Sequence, residues 1–287
     1  MNRHSKKAVK EITLYKWSAG SIRPQKDVVA VEEPMEIKLA YGTTGQRKRE
    51  SIAITMRTPG QDFDLALGFL YSEGIISDNN DVIQLRYIAR QLEESAQENV
   101  LLVELNPSCT FDLDRLNRHF YTTSSCGVCG KASIELVDIP ATHILNRHLP
   151  KLDPNTLPQL PAKLLAAQDA FSKTGGLHAA GLFDLSGKLY LLREDIGRHN
   201  ALDKLIGAAF QQKILPLKEF ILMLSGRISF ELVQKALMAG IPIVAAVGAP
   251  SSLALELADE NNMTLIGFLK NQQFNLYCGN GRMNPEF

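Results

Sequence analysis

Apolar and polar positions follow two rhythms along this chain. Over residues 35–41 and 51–56 apolar side chains recur at every second position, which predicts two strands. Gly42-Thr-Thr-Gly45 between them predicts a hairpin. Pro59-Gly60 then breaks the chain. Asp62 is a suitable N-cap for a helix to about Ser72, with Phe63, Leu67 and Leu70 at helical spacing. Strand-like runs follow at 82–89 and 100–105. Residues 31–140 are therefore expected to form a small α+β domain. Residues 1–30 are expected to be a tail and entry segment, because the first ten carry four basic side chains and no acid, as a frayed end does.

From residue 141 the pattern changes. Five of the thirteen prolines fall between Pro140 and Pro161, so 141–161 is expected to be a connector. Beyond it, fully apolar runs alternate with amphipathic ones. Helices are predicted at 162–171, 199–210, 229–239 and from Gly248-Ala-Pro-Ser-Ser252 to Asn261-Asn262. Strands are predicted at 179–185, 188–193, 220–224, 243–247 and 264–269. Apolar strands between amphipathic helices imply an α/β sheet covered on both faces, over 162–287. The turns 225–227 and 248–252 then sit at strand ends and helix starts. Free N–H groups gather there and anions bind.

Composition narrows the class. The chain has 287 residues, 45% of them hydrophobic and 22% charged, enough for a packed core and typical of two domains. Lys+Arg and Asp+Glu are both 31, so no broad basic face for nucleic acid is expected. The longest apolar stretch, 241–249, is too short to span a bilayer, and no signal peptide is legible. A cytoplasmic location with reduced thiols is expected, and membrane association is not.

The four cysteines then need a reason. Tyr121-Thr-Thr-Ser-Ser-Cys126-Gly-Val-Cys129-Gly130 is polar and glycine-flanked, so it reads as a loop rather than core. Zinc would need two more ligands, from Cys109, Cys278 or a histidine such as His119. A thioredoxin-like redox pair would follow a buried strand, and Thr122–Ser125 is not one. A reactive thiol that accepts and passes on sulfur would suit a mobile loop. An incidental surface pair is the bland alternative. Cys109 and Cys278 read as buried small hydrophobes.

The second half carries further polar motifs. Thr174-Gly-Gly-Leu-His178 enters a strand. Arg193-Glu-Asp-Ile-Gly-Arg198-His199-Asn200 runs from strand to helix. With Ser225 and Arg227 these groups make a binding site at the sheet edge plausible. The element order suggests a cytidine-deaminase-like topology. A zinc deaminase, however, needs His-x-Glu and Pro-Cys-x-x-Cys at two helix starts. Here Ala201 stands where the acid would be, and Ser225–Ser229 contains no cysteine. No metal site is expected.

Five segments together resemble the FdhD/NarQ family of formate dehydrogenase accessory sulfurtransferases. They are Leu67-Gly-Phe-Leu-Tyr-Ser-Glu-Gly74, Ser125-Cys-Gly-Val-Cys-Gly130, Thr174-Gly-Gly-Leu-His-Ala-Ala180, Glu194-Asp-Ile-Gly-Arg-His-Asn-Ala-Leu-Asp-Lys204 and Ser225-Gly-Arg-Ile-Ser-Phe-Glu-Leu-Val-Gln-Lys235. The resemblance implies a cytidine-deaminase-like α/β/α domain without zinc. It implies that Cys126 accepts sulfur from a cysteine desulfurase as a persulfide. The sulfur would go to the molybdenum of the bis(molybdopterin guanine dinucleotide) cofactor, a client that this chain would bind but not hold permanently, with formate dehydrogenase's catalytic subunit as a further partner. Cys129 would assist the relay or be dispensable. The cofactor segment would be Phe268, Leu269, Lys270, Asn271, Gln272 and Gln273, together with Ser225, Arg227, His178, Arg198 and His199. Gln273 departs from the family's arginine, so either affinity for the cofactor would be lower or Arg227 or Arg282 would compensate. GDP would mimic part of the client. A homodimer is expected because two partners must be served. A zinc-stabilised Cys-x-x-Cys module and a non-catalytic guanine-nucleotide-binding protein are the rival functions.

Overall fold

Pairing begins earlier than the sequence suggests. The computed structural model describes residues 7–88, 99–111 and 143–283. In it β1 (Val9–Ser18) and β2 (Ser21–Ala30) form an antiparallel ladder of two ten-residue strands. The expected tail is therefore corrected from Val9 onward. Ala19 and Gly20, at φ 49° and 80°, supply the two-residue turn whose twist suits paired strands. The alternation was hard to read because charged residues sit on both faces and Pro24 interrupts β2.

β3 (Glu33–Tyr41), β4 (Lys48–Arg57), β5 (Val82–Tyr87) and β6 (Val100–Leu105) form a second sheet, in the order β4-β3-β6-β5. β3 and β6 run parallel at its centre. Met35, Ile37 and Leu39 turn to the core while Glu36 and Lys38 stay half-buried, the period-two signature of a one-sided sheet. Helix α1 (Asp62–Ser72) follows β4. Its N-cap is Gln61, in the left-handed region, and not Asp62. Asp62 instead forms a buried ion pair with Arg57 at 2.8 Å and accepts from Tyr87 Oη at 3.0 Å.

The third sheet has six strands: β7 (His178–Asp184), β8 (Leu189–Asp195), β9 (Phe220–Leu224), β10 (Ile243–Ala246), β11 (Thr264–Gly267) and β12 (Asn275–Cys278). Their order is β12-β11-β10-β9-β7-β8, with β9, β10 and β11 parallel. Both faces are buried, as the apolar runs required. Leu222, Leu224, Val244 and Ala246 join the larger core cluster, and Ile221, Met223, Ile243 and Ala245 join the smaller. Helices α4 (Arg198–Gln211) and α5 (Phe230–Met238) contribute Leu202, Leu205, Ile206, Leu232 and Val233 to the larger. On the other face α2 (Leu160–Ala167) adds Leu160 and Leu164. The helix expected at 162–171 is interrupted at Gln168, which is extended, so α3 (Asp169–Thr174) is separate. Helix α6 (Ser252–Glu260) precedes β11.

The larger cluster also holds Met35, Ile37, Leu39, Leu65 and Leu70, so the four-stranded sheet and the six-stranded sheet share it. Their contact is made by α1 on α4. A Cβ on Gly68 would lie 1.8 Å from Asp203 O, and one on Gly207 would lie 1.8 Å from Asp64 O. The two helices therefore cross backbone to backbone.

Candidate functional site

Three turns line up along one edge of the six-stranded sheet. After β9 the chain turns through Ser225-Gly226-Arg227. Ser225 Oγ accepts from Ala179 N at 2.8 Å, and Ser225 N donates to Ala179 O at 3.0 Å, fixing this turn to β7. After β10, Gly248 N donates to Gly226 O at 3.2 Å and Ile228 N to Ala249 O at 3.0 Å. After β11, Phe268 N donates to Gly248 O at 3.1 Å. Gly248 must be glycine, because a Cβ there would lie 2.8 Å from Gly226 O and 3.0 Å from Arg227 N.

β7 is antiparallel to β9, so its first residue, His178, stands at this same edge. Its ring lies 3.3 Å from where a Cβ on Gly226 would sit. Burial pushes the His178 imidazole below its ordinary value, and Arg198 and His199 push it further down, against Asp195. Arg198 and His199 open α4 just after β8 ends. His199 Nε2 lies 3.1 Å from Ser229 Oγ and 3.6 Å from Glu231 Oε2. The Glu231 carboxyl is held at about 2: burial opposes this, but hydrogen bonds from His199, its own backbone N–H and Ser229 outweigh it. Arg198 Nε is buried, and among the described residues it has no hydrogen-bond partner.

The structure thus brings Ser225, Arg227, His178, Arg198 and His199 to one edge, with Phe268 and Lys270 at its continuation. Arg227 and Lys270 are exposed, and among the described residues neither has an ion-pair partner. Phe268 holds a left-handed φ of 51° and is 43% exposed. That conformation costs a non-glycine residue about 1–3 kcal/mol. Asn271, Gln272 and Gln273 are exposed, and Gln273 O closes a tight turn by accepting from Lys270 N at 2.9 Å. Leu269 differs from its neighbours. It is fully buried in the smaller core cluster, so its side chain does not face the edge.

Arg282 is not available to stand in for the missing arginine. It is fully buried and donates to Leu149 O at 2.9 Å, Asn262 O at 2.6 Å, Thr264 Oγ1 at 3.0 Å and Asn146 O. The acids of the 194–204 motif are engaged as well. Asp195 pairs with Lys204 at 2.7 Å and accepts from Thr58 N, Gly197 N and Asn200 Nδ2. Lys204 donates to Thr58 O at 2.8 Å, so this pair ties the end of β4 to α4. Glu194 caps α3 through Ala170 N and Phe171 N. Asp203 pairs with Lys235 at 2.8 Å. Sequence reading could not separate these buried tethers from the edge residues, since all are polar and adjacent in the chain.

Cys126, Cys129 and His119 lie outside the described residues. Cys109 and Cys278 are half-buried, and burial pushes each thiol up to about 11, with Asp81 and Asp259 adding to it. Neither is a ready thiolate at neutral pH. The edge itself offers cations, imidazoles and the N-termini of α5 and α6, a setting for a phosphorylated or otherwise anionic ligand.

Comparison with known proteins agrees with these motifs. The model of the FdhD/NarQ family matches residues 30–284. "Sulfur carrier protein FdhD" of Streptomyces avermitilis is 47% identical over 266 residues, covering 92% of each chain. The protein of that name from Thermoplasma volcanium is 41% identical over 274 residues, covering 95% of this chain and 93% of its own. A solved structure, a putative formate dehydrogenase accessory protein from Desulfotalea psychrophila, shares the fold. Its TM-score is 0.70 at 19% identity, covering 97% of this chain and all of the other.

Proposed function

Because the chain belongs to the FdhD/NarQ family, we propose that it is a sulfurtransferase that prepares the molybdenum cofactor of formate dehydrogenase. The Cys126 thiolate attacks the outer sulfur of a cysteine desulfurase's persulfide. A new S–S bond forms at Cys126, the old one breaks, and the donor leaves as a thiolate. The Cys126 S–S bond then breaks: its outer sulfur passes to the molybdenum of the bis(molybdopterin guanine dinucleotide) substrate, which as Mo(IV) supplies the two electrons that make it a sulfido ligand and becomes Mo(VI), and Cys126 is left as a thiolate before that substrate enters the enzyme's catalytic subunit. Cys129 stands by as a second thiol of the same loop. The chain acts in the cytoplasm as a homodimer. Residues 31–140 carry the cysteine loop, and 162–287 supply a zinc-free, cytidine-deaminase-like scaffold for the nucleotide end.

One observation carries this reading beyond family membership: the sheet edge gathers Arg198, Arg227, Lys270, His178 and His199 beside two helix N-termini. Phosphates gain roughly 0.3–1 kcal/mol from each such terminus. Charge-assisted hydrogen bonds add about 1.5–3 kcal/mol apiece.

Two measurements test the proposal. After incubation with a cysteine desulfurase and cysteine, the intact protein should gain one sulfur, and Cys126→Ala should gain none. In calorimetric titrations with GDP, Arg227→Ala and Lys270→Ala should each weaken binding about tenfold, or ~1.4 kcal/mol, while Cys126→Ala binds as the parent does. Sulfur loading that persists without Cys126 would remove the relay. Unchanged GDP affinity in both cation variants would move the nucleotide elsewhere.

A further inference from the structure

Glu231 is a buried charged group that the proposed function leaves unused. It lies in the first turn of α5. Its Oε2 is 3.6 Å from His199 Nε2, and Ser229 Oγ is 3.1 Å from the same nitrogen. The Glu231 carboxyl, held at about 2, is ionised at neutral pH and can only accept hydrogen bonds. The single Ser229 hydroxyl proton goes to that carboxylate. Ser229 Oγ is therefore left to accept from His199, and Nε2 must carry a proton. A bare Nε2 would turn its lone pair toward a carboxylate. Ser229 also stands at the N-cap of α5, yet its side chain caps no backbone N–H. A residue type favoured for capping turns its oxygen to the His199–Glu231 pair instead. The order is not that of a nucleophilic triad, where hydroxyl and carboxylate hold opposite ring nitrogens. Here both hold Nε2, so Ser229 is not activated and the histidine is oriented.

With Nε2 taken, Nδ1 is the nitrogen left for a ligand, and among the described residues it has no hydrogen-bond partner. To donate to a phosphate, Nδ1 must take up a proton while Nε2 keeps its own, so the ring becomes a cation. Arg198 of the same helix and His178 of β7 oppose that charge. Asp203 of α4 favours it, but Asp203 and Glu73, just after α1, share Lys235 of α5 at 2.8 and 3.8 Å. Asp195 of β8 is paired with Lys204. Glu231 is the carboxylate in contact with the ring.

We infer that Glu231 is a positioning residue: with Ser229 it holds His199 in the Nε2–H form and so offers Nδ1 to a phosphate bound at the sheet edge. The proton that Nδ1 needs comes from solvent on binding and returns there on release. The inference rests on the nucleotide site of the proposed function and names the residue that prepares its histidine.

Two readouts separate this role from a merely structural one. In nitrogen–proton correlation spectra of the isotope-labelled full chain, assigned with His199→Gln, the neutral His199 ring should be protonated at Nε2. Glu231→Gln can donate as well as accept and frees the Ser229 proton, so the Nδ1–H form should appear. The second readout is GDP affinity across pH. Affinity should fall as pH rises through a step that His199→Ala lacks; the difference between the two profiles removes the titration of GDP's own phosphate. In Glu231→Gln the step should move about one pH unit lower, because the counter-charge is gone. Ser229→Ala keeps the carboxylate and loses the bridge, so its step should move less, in the same direction. Either variant suffices where the other fails to fold. A parent ring protonated at Nδ1, or a pH step unmoved in the variants, overturns the inference and leaves the nucleotide site standing. A parent that binds no GDP at any pH overturns the nucleotide site and the Nδ1 contact together. Sulfur loading of Cys126, measured separately, is untouched by these results.

Discussion

Gly68 and Gly207 set how closely α1 and α4 approach each other. In an open helix, Gly→Ala is stabilising by about 1 kcal/mol. Here the added methyl would have to sit 1.8 Å from a carbonyl oxygen, so the helices must separate. Gly207→Ala is therefore expected to destabilise the chain by at least about 3 kcal/mol, read as a fall in the urea midpoint. A gain in stability would mean that the helices do not touch as described. Glu231 gives a second test at this scale. Its folded carboxyl sits at about 2, against an ordinary value of 4.5. Its contribution to stability is therefore full above about 4.5 and is lost as pH falls toward 2. Glu231→Gln should flatten the dependence of the unfolding midpoint on pH in that acid window. A slope identical to the parent's would show that the bonds to His199 and Ser229 do not hold the charged form.

Among the elements, burial decided what could be read from sequence. Strands with one clear rhythm were legible: the expected 100–105 and 220–224 match β6 and β9. So was the edge, because Ser225, Arg227, His178, Arg198 and His199 stand at strand ends and helix starts. Three features were hidden. The hairpin was missed because its apolar side changes along β1, from Ile12 and Leu14 on one face to Tyr15 and Trp17 on the other, so no single alternation runs through it. The break at Gln168 was missed because helical spacing continues across it. Leu269 was placed in the site because the resemblance takes 268–273 as one segment, whereas its side chain turns to the core between exposed neighbours. Arg282 went wrong for a related reason: nothing in Asn280-Gly-Arg282 shows that four oxygens converge on the guanidinium. Arg282→Met should leave those buried oxygens short of donors and lower the melting temperature by several degrees, without changing GDP affinity. An altered affinity at unchanged stability would return Arg282 to the edge.

Over the whole molecule, two sheets of different topology share one core cluster, from Met35 to Leu265. Unfolding of either sheet exposes the part of that cluster the other supplies, so the two are expected to unfold together. Calorimetry should show a single transition for the body of the protein, with calorimetric and van't Hoff enthalpies in agreement. Two resolved transitions would mean that the halves are independent despite the shared cluster. The Asp195–Lys204 pair reinforces the coupling, since Thr58 of the first half binds both partners.

The glycine crossing also bears on how a ligand reaches the sheet edge. Many two-part proteins capture ligands by closing like jaws, with interdomain packing that slides or hinges. Two helices in backbone contact leave no side chains between them to repack. The halves of this protein are therefore poorly suited to act as jaws. Entry and release at the edge fall to the turns themselves, so exchange should be fast and set by local loop motion, with no slow closing step.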